Sequence, residues 1–263
     1  MSSETVEARG PAREQGGAVD PRKSAPSWAA RVDQFNRWLL HDLGGGPRPL
    51  KFAWIINFQK AGTFPVLALL MFLYKDRTPA ATSTAAFVYL ALHGAYGLAW
   101  WIKDMAFPDP NWQVRITLPA SLLTFISLSV YWSFGWLLIS GTSEARYPLD
   151  PRVWYCIWIS VCLVGCVVMI AADAQKYFTL RARPGLISDG MFRYVRHPNY
   201  LGEMLIYGSL AALVWHWFPV FALLCIWGEL FAVNMILKEA SLSRHPGWIE
   251  YKRRSWWLLP GLL

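Results

Sequence analysis

The segment RHPNYLGE, residues 196–203, places several polar side chains directly before a long apolar run. Arg196 and His197 offer cationic or hydrogen-bonding groups, while Asn199 carries an amide and Glu203 a carboxylate. Arginine forks bind phosphate groups through paired hydrogen bonds, and amides and carboxylates suit the polar groups of a nucleotide. These residue types favour a binding site for an anionic cofactor at the start of a helix.

Basic and aromatic residues recur on both sides of this segment. Anchoring to anionic lipid headgroups needs positive charge alone, whereas a nucleotide site also uses aromatic rings and hydrogen-bonding groups. Both interpretations stay open, but the mixture of residue types favours the nucleotide site. Further candidates for cofactor binding are Lys176, Arg181, Arg183, Tyr200, Lys238, Glu239 and Tyr251.

A second polar stripe crosses the apolar stretch YLALHGAYGLAWWIKD. Its members recur at steps of three, four and three residues, so they lie on one face of a helix. They are His93, Tyr96, Trp100 and Lys103. One interpretation is an interhelical hydrogen bond from His93 beside an interfacial belt of Trp100 and Lys103. The other is the polar wall of a site, with His93 or Tyr96 as the proton donor.

Two further ionisable residues lie inside apolar stretches. Lys60 stands near the start of the first stretch, where a long side chain can extend to the membrane interface. That interpretation is favoured slightly over a buried catalytic lysine. Glu229 lies in the middle of the last stretch, so we expect its carboxyl group to be protonated or to face a partner.

The composition indicates how these residues are held in place. The chain has 263 residues, of which 55% are hydrophobic and 16 are tryptophan. Apolar runs of roughly 20 residues match a hydrocarbon core about 30 Å thick. The sequence therefore predicts an all-α, polytopic membrane helix bundle of about six transmembrane helices, the last two forming a hairpin. The predicted spans are Phe52–Tyr74, Thr84–Ile102, Ile116–Ile139, Val153–Ala172, Tyr200–Trp217 and Phe218–Leu237.

The formal charge of +8 is concentrated next to these spans. Basic loops face the cytosol, so the basic segment before Pro198 and the basic tail predict cytosolic termini. Because the cations flank membrane spans and do not form one soluble surface, a nucleic-acid partner is disfavoured. We expect the endoplasmic reticulum in a eukaryote or the inner membrane in a bacterium. Membrane lipids and a lipophilic small molecule are the expected partners.

The chain divides into four predicted regions. Residues 1–27 are polar and rich in Gly, Pro and Ala, which predicts a disordered tail. Residues 28–43 predict an amphipathic helix at the interface or on the bundle. Residues 50–172 would form a four-helix substrate region, and residues 173–263 a cofactor-binding region. The four cysteines lie in apolar spans without a zinc pattern, so they are interpreted as packing residues and no metal is expected.

The C-terminal third, about residues 173–260, resembles a membrane superfamily of methyltransferases and reductases. It includes isoprenylcysteine carboxyl methyltransferases, phospholipid N-methyltransferases, steroid 5-alpha reductases and sterol double-bond reductases. Shared features are a basic segment ending in R-x-P-x-Y-x-G, a helical hairpin, an acidic residue and a tail containing Tyr and Pro. RHPNYLG at residues 196–202 matches that pattern. The resemblance implies a cytosol-facing pocket for NADPH or S-adenosylmethionine.

Three details make the chain more similar to the reductases. HPNYLGE resembles their HPNYLG(D/E) form, and QKYFTLRARP resembles the segment that precedes it. Lys238-Glu239 resembles their Arg-Asp pair, and a cation suits anionic NADPH better than a cationic sulfonium. Beyond these three details, HGAYGLAWWIKDMAFP loosely resembles the HY…R…YP helix of steroid 5-alpha reductases. That similarity carries over His93, Tyr96 and Lys103 as candidates near a substrate carbonyl.

The resemblance implies a reductase that transfers hydride from NADPH to a carbon–carbon double bond of a steroid, sterol or other lipid. Arg196 and His197 would contact cofactor phosphate, and Asn199 the nicotinamide or ribose. Gly202 would permit close approach, and Glu203 would orient neighbouring groups. Two alternatives stay open: an S-adenosylmethionine-dependent methyltransferase acting on prenyl-cysteine or phospholipid, and a non-enzymatic lipid-binding membrane protein.

One departure from the resemblance concerns the first span. The steroid enzymes carry an acidic residue after a glutamine in an early helix, whereas FQKAGTFP places Lys60 at that position. A donor for a 3-keto group is therefore not secured by the resemblance.

Overall fold

The computed structural model describes residues 25–261, and this range is mostly helical. Each helix begins and ends close to a turn or a capping residue. The helices are α1 (Ser27–Arg37), α2 (Phe52–Tyr74), α3 (Thr84–Ala106), α4 (Leu118–Ile139), α5 (Pro151–Ala182), α6 (Pro198–Val214), α7 (Trp217–Ile226), α8 (Val233–Leu242) and α9 (Trp248–Arg254). Two π-helical segments, Trp38–Asp42 and Trp227–Ala232, follow α1 and join α7 to α8.

Five of the described helical segments are long and apolar enough to cross a membrane. They are α2, α3, α4, α5 and the continuous stretch from Trp217 to Leu242. The prediction of a polytopic helix bundle is confirmed, and the chain is a multi-pass membrane protein. The predicted span Tyr200–Trp217 corresponds to α6, which has 17 residues. At about 25 Å it is shorter than a hydrocarbon core, so it does not reach the length of the other five.

Short polar residues set where the long helices begin. The side chains of Ser83, Thr117 and Asp150 each accept a hydrogen bond from a backbone N–H in the first turn of the following helix. Such caps satisfy donors that have no partner within the helix. Pro198 occupies the first turn of α6, where its missing N–H costs nothing.

A short antiparallel pair joins two helix starts. Strand β1 (Leu50–Lys51) precedes α2, and β2 (Arg115–Ile116) precedes α4. We call this end of the bundle the strand end. The ends of α3, α5 and α8 and the start of α6 also meet here, as the contacts of the site below show.

The hairpin predicted from WHWFP is present between α6 and α7. Trp215 adopts a left-handed conformation with φ of 50° and its N–H bonds to the carbonyl of Ala211, which ends α6. The side chain of His216 accepts a hydrogen bond from the N–H of Phe218 and so caps α7. His216 is therefore a capping residue of the hairpin.

Helix α1 packs against α8. Ala29 is fully buried there and forms a small apolar cluster with Val233 and Leu237. The predicted disordered tail, residues 1–27, lies outside the described residues except for its last three. The predicted boundary between the two larger regions falls within α5, which continues from Pro151 to Ala182 without a break.

Two glycines hold α5 and α6 at backbone contact. A Cβ atom at Gly202 would lie 2.6 Å from the backbone nitrogen of Met169, and one at Gly165 would lie 2.8 Å from the carbonyl oxygen of Gly202. Both distances are shorter than real Cβ contacts allow. The close approach that the sequence assigned to a ligand at Gly202 is therefore made by a neighbouring helix.

We expect Gly202→Ala to lower the free energy of unfolding by about 1–3 kcal/mol, because the added methyl group must displace the backbone of α5. The measurement is thermal unfolding of the purified protein in detergent, followed by tryptophan fluorescence. Gly208→Ala in the same helix is the matched control, since its Cβ would meet only a ring atom of Trp227 at 3.8 Å. Equal unfolding temperatures for the two variants would contradict this account of the α5–α6 contact.

Candidate functional site

Lys60 lies inside the bundle and not at its surface. Its side chain is held between three helices, and the residue is 6% exposed. Lys60 Nζ donates hydrogen bonds of 2.9 Å to the hydroxyls of both Tyr96 and Tyr207. It also sits 3.7 Å from the ring centre of Trp100, a favourable cation–π distance. The prediction that Lys60 extends to the membrane interface is therefore wrong, because aromatic partners satisfy its ammonium group in the interior.

This arrangement leaves one phenol proton available. An ammonium group only donates, so the oxygens of Tyr96 and Tyr207 act as acceptors towards Lys60. The two hydroxyls also hydrogen-bond to each other, so one phenol proton stays within the pair and the other can be donated to a third group. We call Lys60, Tyr96 and Tyr207 the lysine–tyrosine cluster. It combines a positive charge with two hydroxyl donors in an apolar setting, where electrostatic interactions are strong.

His93 flanks this cluster on α3 and is 3% exposed. Its Nδ1 lies 3.1 Å from the hydroxyl of Tyr89, one turn earlier in the same helix. Its ring packs edge-on against Tyr207 at a centroid distance of 6.3 Å. The predicted stripe on α3 therefore does face the interior, with Tyr96 bonded to Lys60 and His93 bonded within its own helix.

Glu203 stands between the lysine–tyrosine cluster and the strand end. It interacts electrostatically with Lys60, Lys103 and Lys238. Within residues 25–261 its carboxylate has no hydrogen-bond donor, although the side chain is only partly exposed. The Glu203 carboxylate therefore interacts electrostatically with lysines at different depths of the bundle, although it is hydrogen-bonded to none of them.

Lys103 and Asp173 form a buried ion pair that joins α3 to α5. Lys103 Nζ also lies 4.2 Å from the ring centre of Trp100 and 5.7 Å from that of Trp112, which stacks on Trp100 at 4.9 Å. Lys103 is therefore fixed by an acidic partner and an aromatic ring. The sequence predicted Lys103 near a substrate carbonyl, and the structure places it between the lysine–tyrosine cluster and the strand end.

Further charged pairs complete the strand end. Lys238 Nζ donates to the hydroxyl of Tyr200 at 3.1 Å, and Lys176 Nζ lies 3.4 Å from a carboxylate oxygen of Asp109. Burial alone would raise the pKa of Asp109, but Lys176, the N–H of Asn111 and Lys238 together hold that pKa below its usual value. The interacting lysines at this end are Lys103, Lys176 and Lys238, and the interacting carboxylates are Asp109, Asp173 and Glu203, so the two kinds of group are equal in number.

Arg196 joins three segments of the chain. Its Nε donates to a carboxylate oxygen of Glu239 at 2.5 Å, and its guanidinium also bonds the carbonyl of Ser255. Tyr251 donates to the carbonyl of Phe192 at 2.7 Å and closes the same region. These contacts tie the start of α6 to α8 and to the segment after α9. The phosphate-binding role predicted for Arg196 stays a prediction, and the contacts assign it a structural role as well.

His197 and Asn199 have polar atoms without partners among the described residues. His197 is 2% exposed, and its Nε2 makes no hydrogen bond, the nearest carboxylate oxygen being that of Glu239 at 3.7 Å. Burial lowers the pKa of His197, although Glu239 acts in the opposite direction. The Asn199 amide is partly exposed at the first turn of α6. These atoms are available to a bound molecule.

The remaining cofactor candidates lie further out. Arg181 and Arg183 are exposed at the end of α5, where Arg181 bonds the hydroxyl of Tyr177 and Arg183 bonds Asp189 at 2.8 Å. The structure thus brings most of the predicted residues to the strand end but leaves these two arginines on its periphery.

Sequence reasoning did not single out Tyr207, Asp173 or Asp109 as members of the site. A signal for Tyr207 existed, because Tyr200, Glu203 and Tyr207 recur at steps of three and four on α6. No such signal marks Asp109, which lies in the loop between α3 and β2 and reaches Lys176 through the tertiary fold.

Comparison with protein families finds one match over most of the chain. A family described as "Protein of unknown function (DUF1295)" matches residues 48–245, which include α2 to α8 and the whole polar network inside the bundle. The chain belongs to this family. The DUF1295 family falls within the steroid reductase-like superfamily, although no particular branch is assigned. No curated protein matches the chain.

We expect the free energy of unfolding of this DUF1295 protein to fall below about pH 6.5 because of His197. The pKa of His197 is lowered in the folded state, so at acidic pH the unfolded chain binds a proton that the folded chain does not. The full stability is therefore present above the unfolded pKa of His197, and it is lost as the pH falls below that value. The loss approaches about 1.4 kcal/mol per pH unit for one proton. His197→Gln should make this slope shallower in denaturant unfolding at a series of pH values.

His245→Gln, a histidine outside the polar network at the same end, controls for histidine replacement itself. If wild type and His197→Gln show the same slope below pH 6.5, His197 does not titrate in this way.

Proposed function

We propose that this protein is a membrane oxidoreductase that uses NADPH to reduce a carbon–carbon double bond conjugated to a carbonyl group in a lipophilic substrate. The observation that carries the proposal is the lysine–tyrosine cluster. Ionisable groups inside a membrane bundle are costly and are retained at functional sites. Two hydroxyl donors beside a positive charge form the kind of site that stabilises negative charge developing on an oxygen.

The strand end fits an anionic dinucleotide. Lys176 and Lys238 each donate one hydrogen bond to a side chain and keep further N–H groups that can bind phosphate oxygens. The unpartnered Nε2 of His197 and the amide of Asn199 offer hydrogen bonds at the first turn of α6. These four residues would hold the phosphates and the ribose or nicotinamide groups, with Arg196 securing the loop beneath them.

When bound, NADPH supplies a hydride for the double bond. The Tyr96 hydroxyl donates a hydrogen bond to the substrate carbonyl oxygen, so it stabilises the negative charge that this oxygen gains. Lys60 stabilises the phenolate that remains if the proton is transferred, and the hydroxyl of Tyr207 hydrogen-bonds to the Tyr96 oxygen. The charged strand end and the apolar interior of the bundle then separate a polar cofactor from a lipid-like substrate.

Lys60 stands where the steroid enzymes have an acidic residue. The polar group is therefore at the same position in the helix, but it acts by different chemistry. In the resemblance to steroid enzymes an acidic residue stands at this position, and here an ammonium group does. A carboxylic acid must be protonated to donate, whereas a lysine carries donors and a positive charge together. This favours substrates whose carbonyl oxygen becomes strongly negative during reduction.

We expect NADPH to raise the unfolding temperature of the detergent-purified protein, and S-adenosylmethionine to leave it unchanged. A ligand at 100 times its dissociation constant stabilises the folded state by about 2.7 kcal/mol, which is measurable by thermal shift. NADH serves as the control that isolates the contribution of the 2′-phosphate.

Other results of this thermal-shift experiment would change the proposed function. Stabilisation by S-adenosylmethionine alone would overturn the reductase and favour the methyltransferase. If neither molecule stabilises the protein while lipids do, a lipid-binding role without catalysis is the better description.

We expect Tyr96→Phe to lower turnover by at least about 100-fold while leaving the NADPH-induced thermal shift intact, because the lost proton lies deeper than the cofactor contacts. Turnover is measured as NADPH oxidation with a panel of lipophilic enones. Lys60→Met should lower turnover as well, since the hydroxyls lose their charged partner.

Tyr89→Phe is the matched control on the same helix, because the Tyr89 hydroxyl bonds His93 and not Lys60. Normal turnover in Tyr96→Phe would rule out Tyr96 as the acid.

A further inference from the structure

The last membrane segment, Trp217–Leu242, carries hydrogen-bonding side chains on its outer surface. Only 22% of its most apolar stretch is buried within the protein. Glu229 and Asn234 are both exposed, and neither has a hydrogen bond or ion pair to any residue between 25 and 261. They lie in the middle of the segment, at a depth where lipid surrounds the bundle.

Such groups are expensive against lipid. A carboxyl or carboxamide group in hydrocarbon lacks the hydrogen bonds that water would provide, so polar residues within a span normally face protein. Polar side chains at these depths promote helix association, because another helix can supply the missing hydrogen bonds. An uncovered Glu229 and Asn234 therefore indicate that another protein surface covers them.

The π-helical segment between α7 and α8 contributes to this surface. Residues Trp227–Ala232 turn more slowly per residue than an α-helix does. Glu229 and Asn234 are five residues apart, and the wider turn brings them closer to one face than α-helical geometry would. Gly228 and Cys225 are exposed beside them, and a Cβ added at Gly228 would meet no atom within 4 Å.

The neighbouring faces of the bundle differ from this one. Helix α1 covers α8 at Val233 and Leu237 but leaves Asn234 open. The outer face of α5 exposes apolar side chains around Cys156, such as Val153 and Ile157, which suit lipid. We call Cys225, Gly228, Glu229 and Asn234 the polar outer face.

We propose that the polar outer face binds the same face of a second copy, forming a two-fold symmetric dimer within the membrane. Copies inserted in the same orientation are related by an axis along the membrane normal, so like residues meet at equal depth. A carboxamide pairs with a carboxamide, as buried asparagines do between parallel helices. A carboxamide N–H also donates to a carboxyl oxygen, so Asn234 of one copy can bond to Glu229 of the other. Each polar group of this face can therefore form a hydrogen bond with a polar group of the second copy.

This interface leaves the candidate site free. The side chains that build the site from the last segment are on its opposite side, where Lys238 bonds Tyr200 and Phe231 packs on the same tyrosine. The inference consequently does not depend on the proposed function. It also explains why Glu229 takes no part in the network around Glu203.

Native cysteines allow a direct test in membranes. Cys225 lies one turn before Glu229 on the polar outer face, whereas Cys156 is exposed on the apolar face of α5. A chain with Cys156→Ser should form a covalent dimer when membranes are treated with a short bifunctional thiol reagent. The matched chain with Cys225→Ser should not. A dimer that depends on Cys156, or no dimer through Cys225, would overturn the proposal.

Two further substitutions test the polar groups themselves. Glu229→Leu and Asn234→Leu should each reduce the association constant by about three- to tenfold, because each removes an interchain hydrogen bond. Association is measured as the dependence of crosslinking on the ratio of protein to lipid. Thermal unfolding of each variant verifies folding. Undiminished dimer in both variants would show that other residues hold the copies together, which would overturn the role assigned to this face.

Discussion

The burial of one ammonium group constrains the centre of this bundle. Lys60 lies on α2 at a depth where an unsatisfied charge would be very costly, so the surrounding helices must supply hydrogen bonds and aromatic faces. Tyr96 from α3 and Tyr207 from α6 do so at 2.9 Å, and Trp100 adds a ring at 3.7 Å. Three helices are thereby held in register around one nitrogen atom.

Close backbone contacts make that register possible. Gly97 on α3 faces the carbonyl oxygen of Lys60, where a Cβ atom would lie at 2.0 Å. Gly165 and Gly202 serve α5 and α6 in the same way. Small residues that let helices approach are typical of membrane bundles, where association relies on packing and polar contacts. The same contacts bring Glu203 close to Lys60, Lys103 and Lys238, so packing and electrostatics depend on each other.

The site has two parts with different chemistry. Near the strand end, Lys103 and Asp173 form a buried ion pair, and Lys176 and Asp109 form a partly exposed one. Deeper in the bundle, the lysine–tyrosine cluster offers a positive charge and hydroxyl protons without a neighbouring bonded carboxylate. A charged part next to an apolar part suits the proposed hydride transfer from a polar cofactor to a lipid-like substrate.

Much of the architecture follows from local sequence. Long apolar runs indicated the helices, and the steps of three and four residues from His93 to Lys103 indicated an inward-facing stripe. Both are local properties, because helical periodicity and apolar length are set by residues close together in the chain. Caps such as Ser83 and Thr117, and the hairpin around Trp215, are likewise determined by short segments of the sequence.

Partner choice was decided by the tertiary structure alone. The sequence could not show that Lys60 meets Tyr207, which lies 147 positions away, or that Arg196 is engaged by Glu239 and Ser255. It also assigned Gly202 to a ligand, whereas α5 occupies that space. Such outcomes depend on which helix faces contact one another, and that is settled by packing among distant segments. The sequence thus determined which residues could be chemically active, and the tertiary fold determined which of them act together.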